Sequence, residues 1–115
     1  MKNSKEIKIG ICIDPHLVER NFRSRSDRFF ETALGKLEYI AQNNDYVIIA
    51  GDLCHIHNNS TYFFNTVYTL FKKYDGKFHA ILGNHDTFNR NVNALNKTTV
   101  GSLFYTGALN LHMTG

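Results

Sequence analysis

The sequence predicts an α/β fold with a parallel sheet core. Three observations carry that expectation. Three short runs rich in β-branched and aromatic residues are spaced along the chain. Stretches with apolar residues three and four apart separate them. A polar cluster closes each run. Strand, helix, strand, helix, strand reads as right-handed βαβ units.

The first run extends from Ile7 to Ile13 and the second from Tyr46 to Ala50. The third covers Phe78 to Leu82. All have strand length and strand composition. Tyr-Val-Ile-Ile-Ala is nearly continuous rather than alternating, which predicts a strand covered on both faces. From Ser26 to Ala41, the apolar residues Phe29, Phe30, Ala33, Leu34, Leu37 and Ile40 form a helical stripe. Ser26 or Asp27 can cap it, with Glu31 placed to support the cap, and Asn43, Asn44 and Asp45 break it. A second helix is expected from Ser60 to Tyr74, with Phe63, Phe64, Val67, Leu70 and Phe71 on its apolar side and Gly76 at its end. Beyond Asp86 the pattern weakens, and Asn and Thr are frequent from Asn89 to Thr99. A short helix or turn near Gly101 to Tyr105 and a last strand near Ala108 to Met113 complete the reading.

The 115 residues, 43% hydrophobic and 20% charged, suit one domain with its own core. No apolar run reaches the roughly 18–20 residues of a membrane helix, and no repeat or internal boundary is visible. Thirteen Lys and Arg against ten Asp and Glu give a formal charge of +3. That fits a polyanionic partner without demanding one. Two cysteines, Cys12 and Cys54, do not make a disulfide framework, and the amino terminus lacks a signal-peptide core. A reduced, cytoplasmic protein with no membrane association is expected.

Each run ends in a polar cluster: Asp14-Pro15-His16, then Gly51-Asp52-Leu53-Cys54-His55, then Gly83-Asn84-His85-Asp86. Ligands of open parallel sheets bind beyond the carboxyl ends of the strands, so all three clusters fall on one edge. Asp, His and Asn donors without a thiolate pair suit Mn, Fe, Ni or Zn ions in an open site rather than a structural zinc. Asp14 and His16, two apart on an extended segment, can clasp one ion. Asp52 has two oxygens and can bridge to a second, to which Asn84 offers a carbonyl oxygen. Alone, each motif has a plainer reading: an Asp-capped turn, a loop dipeptide, an Asx turn. Their order, each after a strand, favours the metal centre.

These motifs resemble the calcineurin-like metallophosphoesterase superfamily, whose pattern is D-x-H, G-D-x-x and G-N-H-D/E, followed by a lone His and G-H-x-H. Within it the sequence is most similar to the SbcD/Mre-type DNA repair and recombination exonucleases, phage versions included. The resemblance runs from Ile7 onward. It implies an amino-terminal half of an α/β/β/α sandwich, and a metal-dependent phosphodiester hydrolase. Two divalent ions, manganese foremost, would be held by Asp14, His16, Asp52 and Asn84. His85 would act as the general acid or as the transition-state stabiliser at the leaving oxygen, and Asp86 would orient its ring. DNA would be the substrate and an SbcC-type ATPase the partner. Nucleotides or phosphoproteins are the alternative substrates.

The late histidine motifs have no match. The chain is therefore expected to be a partial domain over residues 1–115. It would draw its remaining ligands from a second copy or from a complementary carboxy-terminal chain, or serve as an interaction module. His112 is read as part of a terminal strand. His55 is read either as a neighbour of the ligands or as a plain loop residue, and with His57 it forms an H-x-H whose plainer reading is a solvated loop. Arg20, Arg23, Arg25 and Arg28 form a basic loop that can follow a nucleic-acid backbone or simply be solvated. Phe22 among them can stack a base or pack inward, packing being the commoner case; Cys12 is read as core and His79 as a structural residue within a strand.

Overall fold

The structure, a computed structural model, describes residues 6–18, 29–54, 59–81 and 98–112. Strand β1 (Ile9–Ile13) leads to helix α1 (Phe29–Asn43), then β2 (Tyr46–Ala50), α2 (Thr61–Lys73), β3 (Phe78–Ile81), α3 (Thr99–Tyr105) and β4 (Asn110–His112). The four strands lie in the order β1-β2-β3-β4, parallel throughout. The expected elements are present, β2 with the expected bounds and the other ends shifted by at most three residues among the described positions.

Local chemistry sets the ends. Ser60 caps α2: its Oγ accepts from the Phe63 amide at 3.0 Å. At the carboxyl end of α1, the Asn44 side chain donates to the Ile40 carbonyl and Lys77 donates from Nζ to the carbonyls of Ala41 and Asn44. Carbonyls left over by the helix are thereby satisfied. Thr98 caps α3 through the Gly101 amide, and Gly107, at φ +83°, turns the chain from α3 toward β4.

The strand order decides where the core lies. Each crossover moves one strand over in the same direction, and right-handed crossovers then place every helix on one face. Val47, Ile49, Phe78 and Ala80 on that face are buried against Leu37 and Ala41 of α1 and Phe63, Val67 and Phe71 of α2. Phe71 stacks on Phe78 with ring centres 4.2 Å apart, and Phe30 on Phe63 at 5.0 Å. The other face carries Ile9, Ile11 and Ile13 of β1, which are 51%, 63% and 72% exposed, beside Tyr46 and Ile81.

This corrects the expectation for β2. Its apolar run is not covered on both sides: Val47 and Ile49 are buried while Tyr46 is exposed. With all the described helices on one face, no layer of the described residues covers the other.

Candidate metal centre

The candidate site lies where β1 and β2 end. Gly51, directly after β2, has φ +99°, a conformation open to glycine. A Cβ there would also collide with Asp14 Oδ1. The glycine thus allows both the turn and the approach of the two loops. The Asp14 amide donates to the Ala50 carbonyl at 2.9 Å and the Asp52 amide donates to Asp14 Oδ1 at 2.9 Å. The His16 and Leu17 amides donate to the carbonyls of Asp52 and Leu53. Two loops are laced together, and Leu17 and Cys54 continue the parallel pairing beyond the strands.

The segment Asp14 to His16 is not extended as expected. Asp14 has φ +46° and His16 φ +48°. Asp and His are among the non-glycine residues that enter the left-handed region most readily. Here the hydrogen bonds to the 50–53 loop hold both in it. The two side chains still converge, by a turn around Pro15 rather than by the two-residue repeat of a strand.

Ligand atoms of Asp14, His16 and Asp52 all lie within 4.8 Å of one another. His16 Nε2 is 3.6 Å from Asp52 Oδ2. Asp52 is buried, Asp14 exposed, and His16 between the two. Two carboxylates and an imidazole at this spacing can be drawn onto one divalent ion, with bonds of about 2.0–2.2 Å, by small side-chain shifts. The donors are hard oxygens and one borderline nitrogen, which fits a catalytic divalent ion. Cys12 does not join them as a thiolate. Burial pushes its thiol pKa up, and the negative charge of Asp14 raises it further.

Asn84, His85 and Asp86 lie outside the described residues, as do His55, His57, Phe22, Arg20, Arg23, Arg25 and Arg28. Cys54 is buried in the core, and Cys12 packs against it. His112 does lie in the terminal strand, as expected. His79 lies within β3, as expected. It is half-buried on the open face of the sheet and bonded to His112. The sequence reading missed the Asp14–Asp52 backbone bond and the left-handed turn. The only signal for the turn was the type of residue at 14 and 16.

The family profile described as calcineurin-like phosphoesterase matches residues 7–112. The chain belongs to this family, in which divalent ions serve phosphoester hydrolysis. Asp14, His16 and Asp52 are residues that can hold such an ion. No curated protein matches the chain. Among the described residues, no helix is long and apolar enough to cross a membrane.

Proposed function

We propose that the chain is a phosphodiesterase of the SbcD/Mre-type nuclease branch, acting on DNA in repair or recombination. The observation that carries the hydrolytic reading is the convergence of Asp14, His16 and Asp52 at the carboxyl edge of a parallel sheet. Support for DNA comes from the chain itself: Arg20, Arg23 and Arg25 follow the D-x-H motif closely in sequence, and a basic run of this kind suits a phosphate backbone.

Asp14 is fixed through Oδ1 by the Asp52 amide, which aims its carboxylate at the shared site. Asp52, buried at the base of the cluster, and His16 would hold the ion together with Asp14. Asn84 would extend the site toward β3. A divalent ion, when bound, supplies Lewis-acid polarisation of a phosphoryl oxygen and lowers the pKa of water. His85 would deliver the proton that the leaving oxygen takes up, and Asp86 would hold the imidazole in the tautomer that can give it. Manganese is the first candidate ion, and an SbcC-type ATPase is the proposed partner.

Rates on duplex DNA and on a small aryl phosphodiester, each with Mn²⁺, test the reading. Hydrolysis of both, lost in His85→Ala, is expected. Hydrolysis of phosphomonoesters alone would contradict the nuclease assignment while leaving the family chemistry intact. No turnover with Mn, Fe, Ni or Zn ions would overturn the proposal for this chain.

A further inference from the structure

The entries of α2 and α3 are tied to each other. Each helix follows a parallel strand, so both begin at the carboxyl edge of the sheet, where Asp14, His16 and Asp52 converge. Asn59 directly precedes the Ser60 cap of α2, and Thr99 opens α3 beside its own cap, Thr98. The main-chain amide and the side-chain amide of Asn59 both donate to Thr99 Oγ1, at 3.0 and 3.1 Å. A hydroxyl oxygen has two lone pairs, and Asn59 engages both. Thr99 is buried, 6% exposed. In sequence, Asn59 closes the loop that carries Asp52, and Thr99 receives the chain after the Gly83–Asp86 motif.

The two ends of the Asp52 loop are held differently. At its start, the His16 and Leu17 amides donate to the carbonyls of Asp52 and Leu53, and the Asp52 amide donates to Asp14 Oδ1. These bonds lace the loop to the Asp14 turn. At its far end, α2 lies on the sheet through Phe63, Val67 and Phe71. Apolar burial is non-directional. It fixes the buried face of α2 more strictly than the place where the loop enters the helix. Two N–H donors converging on one buried hydroxyl are directional, and they fix that entry. We propose that Asn59 and Thr99 form a clasp that positions Asp52. By locking the entry of α2 to that of α3, the clasp holds the far end of the loop and keeps Asp52 in place against Asp14. Asn59 and Thr99 are positioning residues and not ligands. Their role in function rests on the reading of Asp14, His16 and Asp52 as a metal centre, whereas the clasp itself needs no metal. Loss of the Thr99 oxygen would leave two N–H groups without their acceptor and release the loop end.

Native-state amide exchange of the metal-free full chain tests the clasp. Thr99→Val keeps the shape of the side chain and removes the oxygen, while Thr99→Ser keeps the oxygen. The reporter is the Asp52 amide, which donates to Asp14 Oδ1. The reference is the Val47 amide of β2, which donates to the Lys77 carbonyl. In Thr99→Val the Asp52 amide should exchange roughly fivefold faster relative to Val47, what one ordinary hydrogen bond is worth. Thr99→Ser should restore the wild-type ratio. An unchanged ratio in Thr99→Val, or equal acceleration at both amides, would overturn the proposal, because a merely structural role lowers the protection of both together. The wild type supplies a check that does not depend on how the variants fold. Its Asn59 amide should be protected, and exchange at the rate of an open loop amide would equally overturn the clasp. Mn²⁺ binding, read by electron paramagnetic resonance of the free ion, joins the clasp to the metal centre. Thr99→Val should bind roughly fivefold more weakly than the wild type, by the same reasoning, and Thr99→Ser as the wild type does. Equal affinity in Thr99→Val would overturn the positioning role. A wild type that binds no Mn²⁺ would overturn the metal reading instead, and the exchange ratios would still decide the clasp.

Discussion

The two faces of the sheet are built from the same strands and do different work. In β1 the residues alternate Ile, Gly, Ile, Cys, Ile, and it is the isoleucines that stay exposed. Hydrophobicity alone would turn them inward. The helix face takes Gly10 and Cys12 instead because α1 passes close: a Cβ at Gly10 would collide with Ile40 and press on Asn44. Close packing decides which side is core, and the face left over is apolar without contributing comparable burial. An exposed apolar surface of this kind marks a region able to receive another layer.

The largest difference between the faces is expected at Phe71, fully buried and stacked on Phe78. Phe71→Ala should cost about 3–5 kcal/mol in denaturant unfolding. Next comes Gly10→Ala, about 1–3 kcal/mol, from pushing α1 off β1. Ile11→Thr, one residue along on the open face, should stay within about 0.5 kcal/mol. A large loss at Ile11 would erase the contrast between the faces.

Much of this was legible in the sequence. The β-rich runs located the strands, and Phe63, Val67, Leu70 and Phe71 located the buried side of α2, because periodicity survives any tertiary arrangement. The polar clusters at the strand ends located Asp14, His16 and Asp52, because parallel topology forces those ends together. The backbone of the Asp14 to His16 turn was not legible. A residue before proline ordinarily favours an extended conformation, and only the bonds to Ala50 and Asp52 explain φ +46° there. The His79–His112 pair was equally hidden. It depends on the register of β3 against β4, which two short strands separated by 28 residues do not announce. That the described helices leave one face of the sheet uncovered followed from the order of the strands, which hydropathy does not encode.

Smaller effects sharpen the account of the covered side. Ser60→Ala should cost about 1 kcal/mol, read by thermal unfolding, through loss of the cap on α2. Glu38 accepts hydrogen bonds from Lys73 and Tyr74, which hold its carboxyl below the usual pKa. A depressed folded pKa contributes stability at pH values above the unfolded carboxylate pKa, lost as pH falls through the folded value. Acid unfolding of Glu38→Gln should therefore lack a small part of the wild-type pH dependence below the ordinary carboxylate range. The pair is exposed, so this is the smallest effect of the series.

The claim on which the functional account rests is that Asp14, His16 and Asp52 act together on one ion. The most direct measurement is the Mn²⁺ dependence of aryl phosphodiester hydrolysis by the wild-type chain and by Asp52→Asn. Saturable Mn²⁺-dependent turnover is predicted for the wild type, with a drop of at least about a hundredfold in the variant, beyond what loss of a merely supporting partner costs. Turnover equal in the two chains, or independent of added metal, would contradict it.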